Sequence, residues 1–165
     1  MRDIAKEPEP RSLTEHRAGE HCDYDNYQGK DELRQTLVRE QRGLCCYCMG
    51  RIRADRDSMK IEHWKCLDRF PGDQLNYQNL LGACFGGEGQ PSNKQHCDTQ
   101  KGSRDLRWNP ADPEHPIEPL GDYDGGCGGH RADRLVLIEL GYHTQYGLWY
   151  KSDPATRLPN DCSQA

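Results

Sequence analysis

Residues 45–64 read CCYCMGRIRADRDSMKIEHW, a cysteine-rich segment followed by a short run that ends with an acidic residue, a histidine and a tryptophan. Cys45 and Cys48 have the spacing of a zinc knuckle, in which two thiolates three positions apart reach one tetrahedral ion from a tight turn. Gly50 directly after them favours that turn. The segment therefore predicts half of a structural zinc site, and the other half must come from later in the chain.

The second half of the predicted zinc site is assigned to Cys84 and Cys97, which flank a short apolar element and the approach to a predicted helix. Twelve residues separate them, so this pair is looser than a second knuckle would be. His96 is a rival for the fourth ligand position, and the alternative for the whole set is ordinary buried thiols. The cysteines read as non-ligands are Cys22, Cys46 (expected in the core), Cys66, Cys127 and Cys162, with a second site of His21-Cys22 and Cys127-x-x-His130 as the less favoured alternative.

The composition supports a metal-fastened domain. Of 165 residues only 33% are hydrophobic and nine are cysteine, with a mean hydropathy of −1.07. A chain this polar usually needs disulfides, a metal or a partner for stability, and an odd cysteine count fits poorly with full disulfide pairing. The first ten residues lack the apolar character of a signal peptide, and no run approaches the ~20 apolar residues of a membrane span. We therefore expect a cytoplasmic protein whose clustered cysteines bind metal.

Charge is distributed unevenly along the chain, whose formal net charge is −5. Residues 1–47 have a net charge of −2, residues 48–108 of +2 and residues 109–165 of −5. The acidic total argues against a protein that simply coats nucleic acid, but the central third is basic. Phosphate contact in that third is plausible, although bulk charge identifies no site.

Hydrophobic patterning predicts an α+β fold. Residues 1–29 are polar and broken by prolines, residues 31–41 have a helical stripe, and residues 60–64 alternate as a strand does. A second apolar element covers 79–84, a short helix covers 98–108, and a strand at 135–140 could pair with 146–150. The predicted divisions are 1–44, an N-terminal arm and helix; 45–110, the zinc-bound core; and 111–165, a C-terminal extension with no assigned role.

Candidate catalytic residues lie between and beside the cysteine pairs. They are Glu62, His63, Asn79, Asp98 and Lys101. Taken singly, His63 is as well explained as a structural strand histidine and Asn79 as a helix cap. Their order is more informative: a cysteine knuckle, an acid–histidine pair, an asparagine before leucine, then a cysteine followed by a polar residue and lysine. This order resembles that of HNH endonucleases, whose ββα-metal (His-Me finger) core is a hairpin and a helix around one divalent ion.

The resemblance implies specific roles for these residues. His63 would be the general base that activates water, and Asn79 would orient it through its amide oxygen. Glu62 and Asp98 would be oxygen ligands of Mg2+ or a similar ion, and Lys101 would face a phosphate. The third residue of the family motif is often histidine or asparagine, so an aspartate at position 98 puts the metal preference in doubt.

One branch of that family is more similar than the rest. The segment 4–10, Gly43, Tyr47, and His96-Cys97 before Lys101-Gly102 look like the HNH proteins of retron and Septu anti-phage systems, over roughly residues 1–119. The resemblance implies an effector nuclease that cuts DNA or RNA and acts with an ABC/SMC-like ATPase partner. Two rivals stay open: a non-catalytic zinc module that binds nucleic acid or protein, and a thiol redox protein, for which the expected βαβ pattern is missing.

Overall fold

The computed structural model describes residues 3–115, 142–145 and 148–151. Its helices and strands are α1 (Arg11–Arg17), α2 (Lys30–Glu40), β1 (Lys60–His63), β2 (Leu80–Ala83), α3 (Cys97–Lys101), β3 (Tyr142–Gln145) and β4 (Leu148–Lys151). Short 3-10 turns cover Pro71–Asp73, Tyr77–Asn79 and Ser92–Lys94. The prediction of mixed helix and strand is confirmed. In the residues described, no helix has the length and apolarity needed to cross a membrane.

The antiparallel hairpin of β1 and β2 lies at the centre of the described chain. Its register pairs Lys60 with Ala83 and His63 with Leu80. Successive strand residues point to opposite faces, and Leu80 and Leu81 accordingly pack into two different hydrophobic clusters. Each face of the hairpin therefore has its own small core, which explains how so polar a chain buries both strands.

Helix α2 covers almost the predicted segment, 30–40 instead of 31–41. Leu33 and Leu37 are fully buried, as the helical stripe predicts. Gly29, and not Asp31, is the N-cap, while Asp31 lies in the first turn, where a carboxylate is favoured by the helix dipole. Gly43 follows the helix with a φ of +72°, and its N–H donates to the carbonyl of Val38. This left-handed position is one that glycine adopts without steric cost.

Helix α1 was not predicted, because the prolines before it were interpreted as breakers of regular structure. Pro10 instead stands at the N-cap of the helix, where its missing N–H costs no hydrogen bond. The Pro10 carbonyl accepts from the N–H groups of Leu13 and Thr14, and Leu13 is fully buried. A proline in this position starts the helix, so the prediction of an irregular segment was wrong here.

The segment from Leu44 to Arg51, which carries Cys45 and Cys48 and is called here the cysteine hairpin, is attached to β2 by backbone contacts. Leu44 and Arg51 form an isolated antiparallel bridge, and the N–H of Cys46 donates to the carbonyl of Gly82. The buried Gln41 amide accepts from the Gly82 N–H at 2.6 Å and donates to its carbonyl at 2.8 Å. A Cβ at position 82 would meet side-chain atoms at 3.0–3.3 Å, so only glycine fits this junction comfortably.

The two predictions for the later elements were partly wrong. The helix predicted at 98–108 is only Cys97–Lys101, because Gly102 adopts a φ of +54° and its N–H donates back to the Asp98 carbonyl. Strand β4 overlaps the strand predicted at 146–150, but it pairs with β3 and not with the segment 135–140. The strand predicted at 135–140 lies outside the described residues.

Candidate active site and metal centre

The four predicted cysteine ligands come together in space. The Sγ atoms of Cys45, Cys48, Cys84 and Cys97 all lie within 4.8 Å of one another. The separations are 3.9 Å between Cys45 and Cys97, 3.8 Å between Cys48 and Cys84, and 3.6 Å between Cys84 and Cys97. A tetrahedral zinc ion with Zn–S bonds of about 2.3 Å requires sulfur–sulfur distances of about 3.8 Å. The cluster therefore has the dimensions of a zinc site.

The chain positions these thiols from three segments. Cys45 and Cys48 lie in the cysteine hairpin, Cys84 directly follows β2, and Cys97 begins α3. Backbone N–H groups support the sulfurs: that of Gly50 reaches Cys48 Sγ at 3.4 Å, and that of Cys84 reaches Cys45 Sγ at 3.3 Å. Cys97 has a φ of +52°, a conformation that non-glycine residues rarely adopt without a local requirement. Bringing its sulfur into the cluster supplies that requirement.

The remaining histidine and cysteine candidates lie outside this group. His96 is not in the cluster: its Nδ1 lies 3.1 Å from Cys97 Sγ, as a neighbour of that thiol. Cys46 is buried in the core, as expected, and burial raises the pKa of its thiol. Cys22 and Cys66 also lie apart from the cluster. Cys127, His130 and Cys162 lie outside the described residues.

Glu62 is 4% exposed and lies on the face of β1 that carries the main core. One oxygen, Oε1, accepts hydrogen bonds from the Tyr47 hydroxyl and from the Lys101 ammonium, each at 2.7 Å. Burial, together with the neighbouring Asp98 carboxyl, raises the pKa of Glu62 to about 8. Glu62 therefore keeps its proton at pH 7 and donates it to the ionised Asp98 in a hydrogen bond, and the two form one carboxyl pair.

Asp98 belongs to the first turn of α3 and completes the pair. Its burial disfavours the charged form, but hydrogen bonds from Glu62 and Lys60 outweigh that cost and lower the pKa of Asp98. Lys60 Nζ lies 2.9 Å from Asp98 Oδ2 and 3.2 Å from the Glu88 carboxylate. The pair of carboxyls is thus flanked by lysines on both sides, with Lys101 on Glu62 and Lys60 on Asp98.

Lys101 is almost fully buried, with 2% exposure. Its ammonium donates to Glu62 and also, at 2.9 Å, to the backbone carbonyl of His63. It therefore fastens the last turn of α3 to the end of β1. The predicted phosphate contact of Lys101 stays a prediction, and in this arrangement the ammonium faces the protein.

His63 lies at the end of β1 with a defined ring orientation. Its Nε2 is 3.0 Å from the Gln74 carbonyl, which can only accept, so this nitrogen carries the proton and Nδ1 carries the lone pair. Burial lowers the pKa of His63, which keeps the ring neutral near pH 7. The charges of Lys101 and Asp98 also act on it, so the imidazole lies near the carboxyl pair although Glu62 points to the other face of the strand.

Asn79 acts on His63 through the intervening loop. Its Oδ1 accepts from the Lys65 N–H at 2.7 Å, and its Nδ2 donates to the carbonyls of Lys65 and Asp73 at 3.1 and 3.2 Å. These bonds close the loop that presents the Gln74 carbonyl to His63. In this arrangement the Asn79 amide oxygen accepts from the Lys65 N–H, and its predicted role of orienting His63 stays a prediction.

Sequence reasoning missed Tyr24. Its ring meets the His63 ring edge-on, with centroids 4.5 Å apart and planes at 87°. The Tyr24 N–H donates to the Gln74 side chain at 3.0 Å, and the Lys30 ammonium lies 4.6 Å from the Tyr24 ring centroid. The N-terminal segment therefore covers the imidazole. No spacing rule links Tyr24 to a residue 39 positions later, so the sequence held no signal for this contact.

Comparisons with known proteins give one distant relation. The chain is 27% identical over 82 residues to the Septu protein PtuB of Bacillus thuringiensis. The match covers 50% of this chain and 28% of that protein. No protein-family model matches, and no solved structure matches. The relation supports a Septu-related protein.

Proposed function

We propose that this chain is a metal-dependent HNH endonuclease that hydrolyses phosphodiester bonds of DNA or RNA. The observation that carries the proposal is the arrangement at the end of β1. There a neutral imidazole with a fixed tautomer, His63, is adjacent in sequence to Glu62, which forms a carboxyl pair with Asp98 on α3. The cysteine cluster fastens the hairpin and the helix that carry these groups.

In this mechanism His63 takes the proton of the attacking water. The Gln74 carbonyl holds the Nε2–H, so the free lone pair on Nδ1 is the acceptor. After accepting a proton the ring becomes a cation, and the nearby Asp98 carboxylate favours that cation. A positioned base of this kind contributes roughly 10²–10⁴-fold to a rate.

A divalent ion such as Mg2+ fits the carboxyl pair. Lys101 and Tyr47 both use Oε1 of Glu62, Lys60 uses Oδ2 of Asp98, and the two carboxyls share a hydrogen bond whose proton a bound cation would displace. Two carboxylates are a usual protein contribution to Mg2+, which keeps several of its waters. Such an ion would stabilise charge on the phosphate and on the leaving oxygen. The cysteine cluster would hold a structural Zn2+.

The relation to Septu supports a proposal for the biological role and the partner. We propose an anti-phage defence role in a Septu or retron type of system, acting with an ABC/SMC-like ATPase. A cleft of about 440 Å³ opens beside Asn79, and its lining combines amides and Lys65 with the carboxylates of Asp73 and Asp112. Because the match covers 28% of the relative, that protein's activity is not transferred to this chain.

A non-catalytic zinc-binding module is the second candidate. It is favoured by one observation: lysines already contact both carboxyls, Lys101 at Glu62 and Lys60 at Asp98. In that case the carboxyl pair would be a structural element, and the chain would bind nucleic acid or protein without cutting it.

The deciding experiment compares His63→Ala with His16→Ala. His16 is a matched control, because its Nε2 also contacts a backbone carbonyl, that of Asp23 at 2.9 Å, but far along the chain from the carboxyl pair. Plasmid DNA and total RNA are incubated with each protein and Mg2+, with a chelated sample alongside. We expect His63→Ala to lose cleavage about 10²–10⁴-fold with unchanged zinc content, and His16→Ala to cut normally. Wild-type cleavage by His63→Ala on every substrate would exclude this mechanism.

A further inference from the structure

Three exposed arginines lie on the outside of the cysteine hairpin. Arg51 and Arg53 flank the buried Ile52, so strand alternation turns both side chains away from the core. Arg42 adjoins Gly43, whose carbonyl accepts from the Ile52 N–H at 2.9 Å. We call Arg42, Arg51 and Arg53 the arginine face.

The three arginines of the arginine face form no ion pair within the described residues. Elsewhere Arg11 pairs with Glu15, Arg39 with Glu7 and Arg69 with Asp105. Residues 42–56 contain four arginines and one aspartate, a net charge of +3 in a chain of net charge −5. Arg56 pairs with Asp31, so the three arginines of the arginine face are the part of this charge without a carboxylate partner.

We propose that the arginine face binds the phosphodiester backbone of a nucleic acid. The inference rests on the proposed nuclease function and names a substrate contact for it. Guanidinium groups match phosphate oxygens through paired N–H donors, and such contacts fix a nucleic acid without reading its sequence. The hairpin bonds to Gly82, two residues or about 7 Å along β2 from Leu80, the partner of His63. The hairpin that carries the arginine face is thus anchored on the strand pair that carries His63.

The main rival explanation lies in the metal centre. Four thiolates and one Zn2+ have a net charge of −2, and arginines on the same hairpin would offset it. In that case their removal would weaken zinc binding and leave nucleic-acid binding unchanged. A second rival is an acidic surface on a protein partner, for which the arginines would be a docking face.

The test uses the full-length chain with His63→Ala, so that substrate is bound and not cut. Arg42→Gln, Arg51→Gln and Arg53→Gln are combined in one variant. The control combines Arg11→Gln, Arg39→Gln and Arg69→Gln, which removes the same charge from paired arginines. Binding of labelled single- and double-stranded DNA and of RNA is measured across a salt series, and zinc is measured by elemental analysis.

We expect the arginine-face variant to bind on the order of ten-fold or more weakly at low salt. The slope of log K against log salt should fall by about 2–3, since each phosphate contact contributes about 0.7–0.9. The control should keep the parent slope, and both should keep their zinc. Equal slopes for the two variants, zinc loss in the arginine-face variant, or no nucleic-acid binding by the parent would each overturn the proposal.

Two further outcomes separate this proposal from the nuclease function. Face-dependent binding by a wild-type chain that cuts nothing would support the arginine face and reject the nuclease. The triple arginine variant is also made with His63 intact. If that variant cleaves normally and loses only its co-purification with a partner ATPase, the arginine face is rejected and the nuclease function is retained.

Discussion

Two buried Lys–Glu–Tyr groups hold this small protein together, and they differ in how the glutamate is used. In the first, Glu40 of α2 accepts from Lys6 on Oε1 at 2.5 Å and from the Tyr77 hydroxyl on Oε2 at 2.6 Å. The Glu7 N–H also reaches Oε2, at 3.2 Å. Both oxygens of Glu40 are therefore occupied, and the group is a closed structural contact between the N-terminal arm, α2 and the segment before β2.

The second group is centred on Glu62, and here both donors use one oxygen. Lys101 and Tyr47 each donate to Oε1, and the carboxyl is also coupled to Asp98. The same three residue types thus hold a glutamate that is hydrogen-bonded to a second carboxyl. Residue type and burial are alike in the two groups, so the paired carboxyl is the feature that indicates chemistry at Glu62.

The largest expected effect comes from removing the framework that supports the Glu62 group. Cys48→Ser should lose bound zinc and soluble fold together, because zinc-site formation contributes on the order of 10 kcal/mol to folding in small domains. Elemental analysis measures the loss of zinc, and circular dichroism measures the loss of fold. Cys22→Ser is the control, since this thiol lies outside the cluster. Full zinc occupancy in Cys48→Ser would contradict the assignment.

The next prediction tests the two groups directly against each other. Glu40→Gln leaves the buried Lys6 without its counterion and should destabilise the fold by about 3–5 kcal/mol, with cleavage unchanged while the protein is folded. Glu62→Gln should lower cleavage by on the order of 10²-fold. Replacing a residue that only supports a metal ligand lowers activity by up to about that factor, and Glu62 is proposed as a ligand itself. Urea unfolding and initial cleavage rates measure both variants. Similar loss of activity in the two would remove the distinction.

A smaller effect should separate Asp98 from His63. Asp98→Ala removes one proposed oxygen ligand, so cleavage should require about ten-fold or more Mg2+ and recover in part when the metal is in excess. His63→Ala removes the base and should gain nothing from added metal. Titration of cleavage against Mg2+ distinguishes them. Identical metal dependence in wild type and Asp98→Ala would mean that the carboxyl pair binds no ion.

Local sequence signals were sufficient for much of this architecture. The alternation at Lys60–His63, the stripe in α2 and the Cys45–Cys48 spacing predict a strand, a helix and a pair of thiols that the structure shows, because each depends on neighbours within a turn or a strand. Cys84 and Cys97 were assigned to the same cluster from residue type and order. The early end of α3 depends on one residue, Gly102, whose φ of +54° reverses the chain before the predicted helix can continue.

Contacts between distant segments could not be predicted in the same way. Nothing in the spacing of Glu62 and Lys101 indicates a buried ion pair, and nothing indicates that Asn79 holds the loop and not the imidazole. Such contacts depend on how the hairpin, α3 and the N-terminal segment pack. The motif thus predicts which residues lie at the site, while the hydrogen-bond partners required the folded chain.

The smallest expected effect concerns two tyrosine–histidine contacts. They extend to aromatic residues the distinction between a structural group, that of Glu40, and a group at the candidate site, that of Glu62. Tyr24 meets His63 at 4.5 Å, and Tyr27 meets His16 at 5.2 Å. An aromatic contact contributes about 0.5–1.5 kcal/mol, so Tyr24→Ala should lower kcat about two- to ten-fold with KM unchanged. Tyr24→Phe keeps the ring edge and should cut at nearly the wild-type rate. Tyr27→Ala should affect stability alone. If Tyr24→Ala and Tyr27→Ala change kcat equally after correction for the folded fraction, Tyr24 does not position His63.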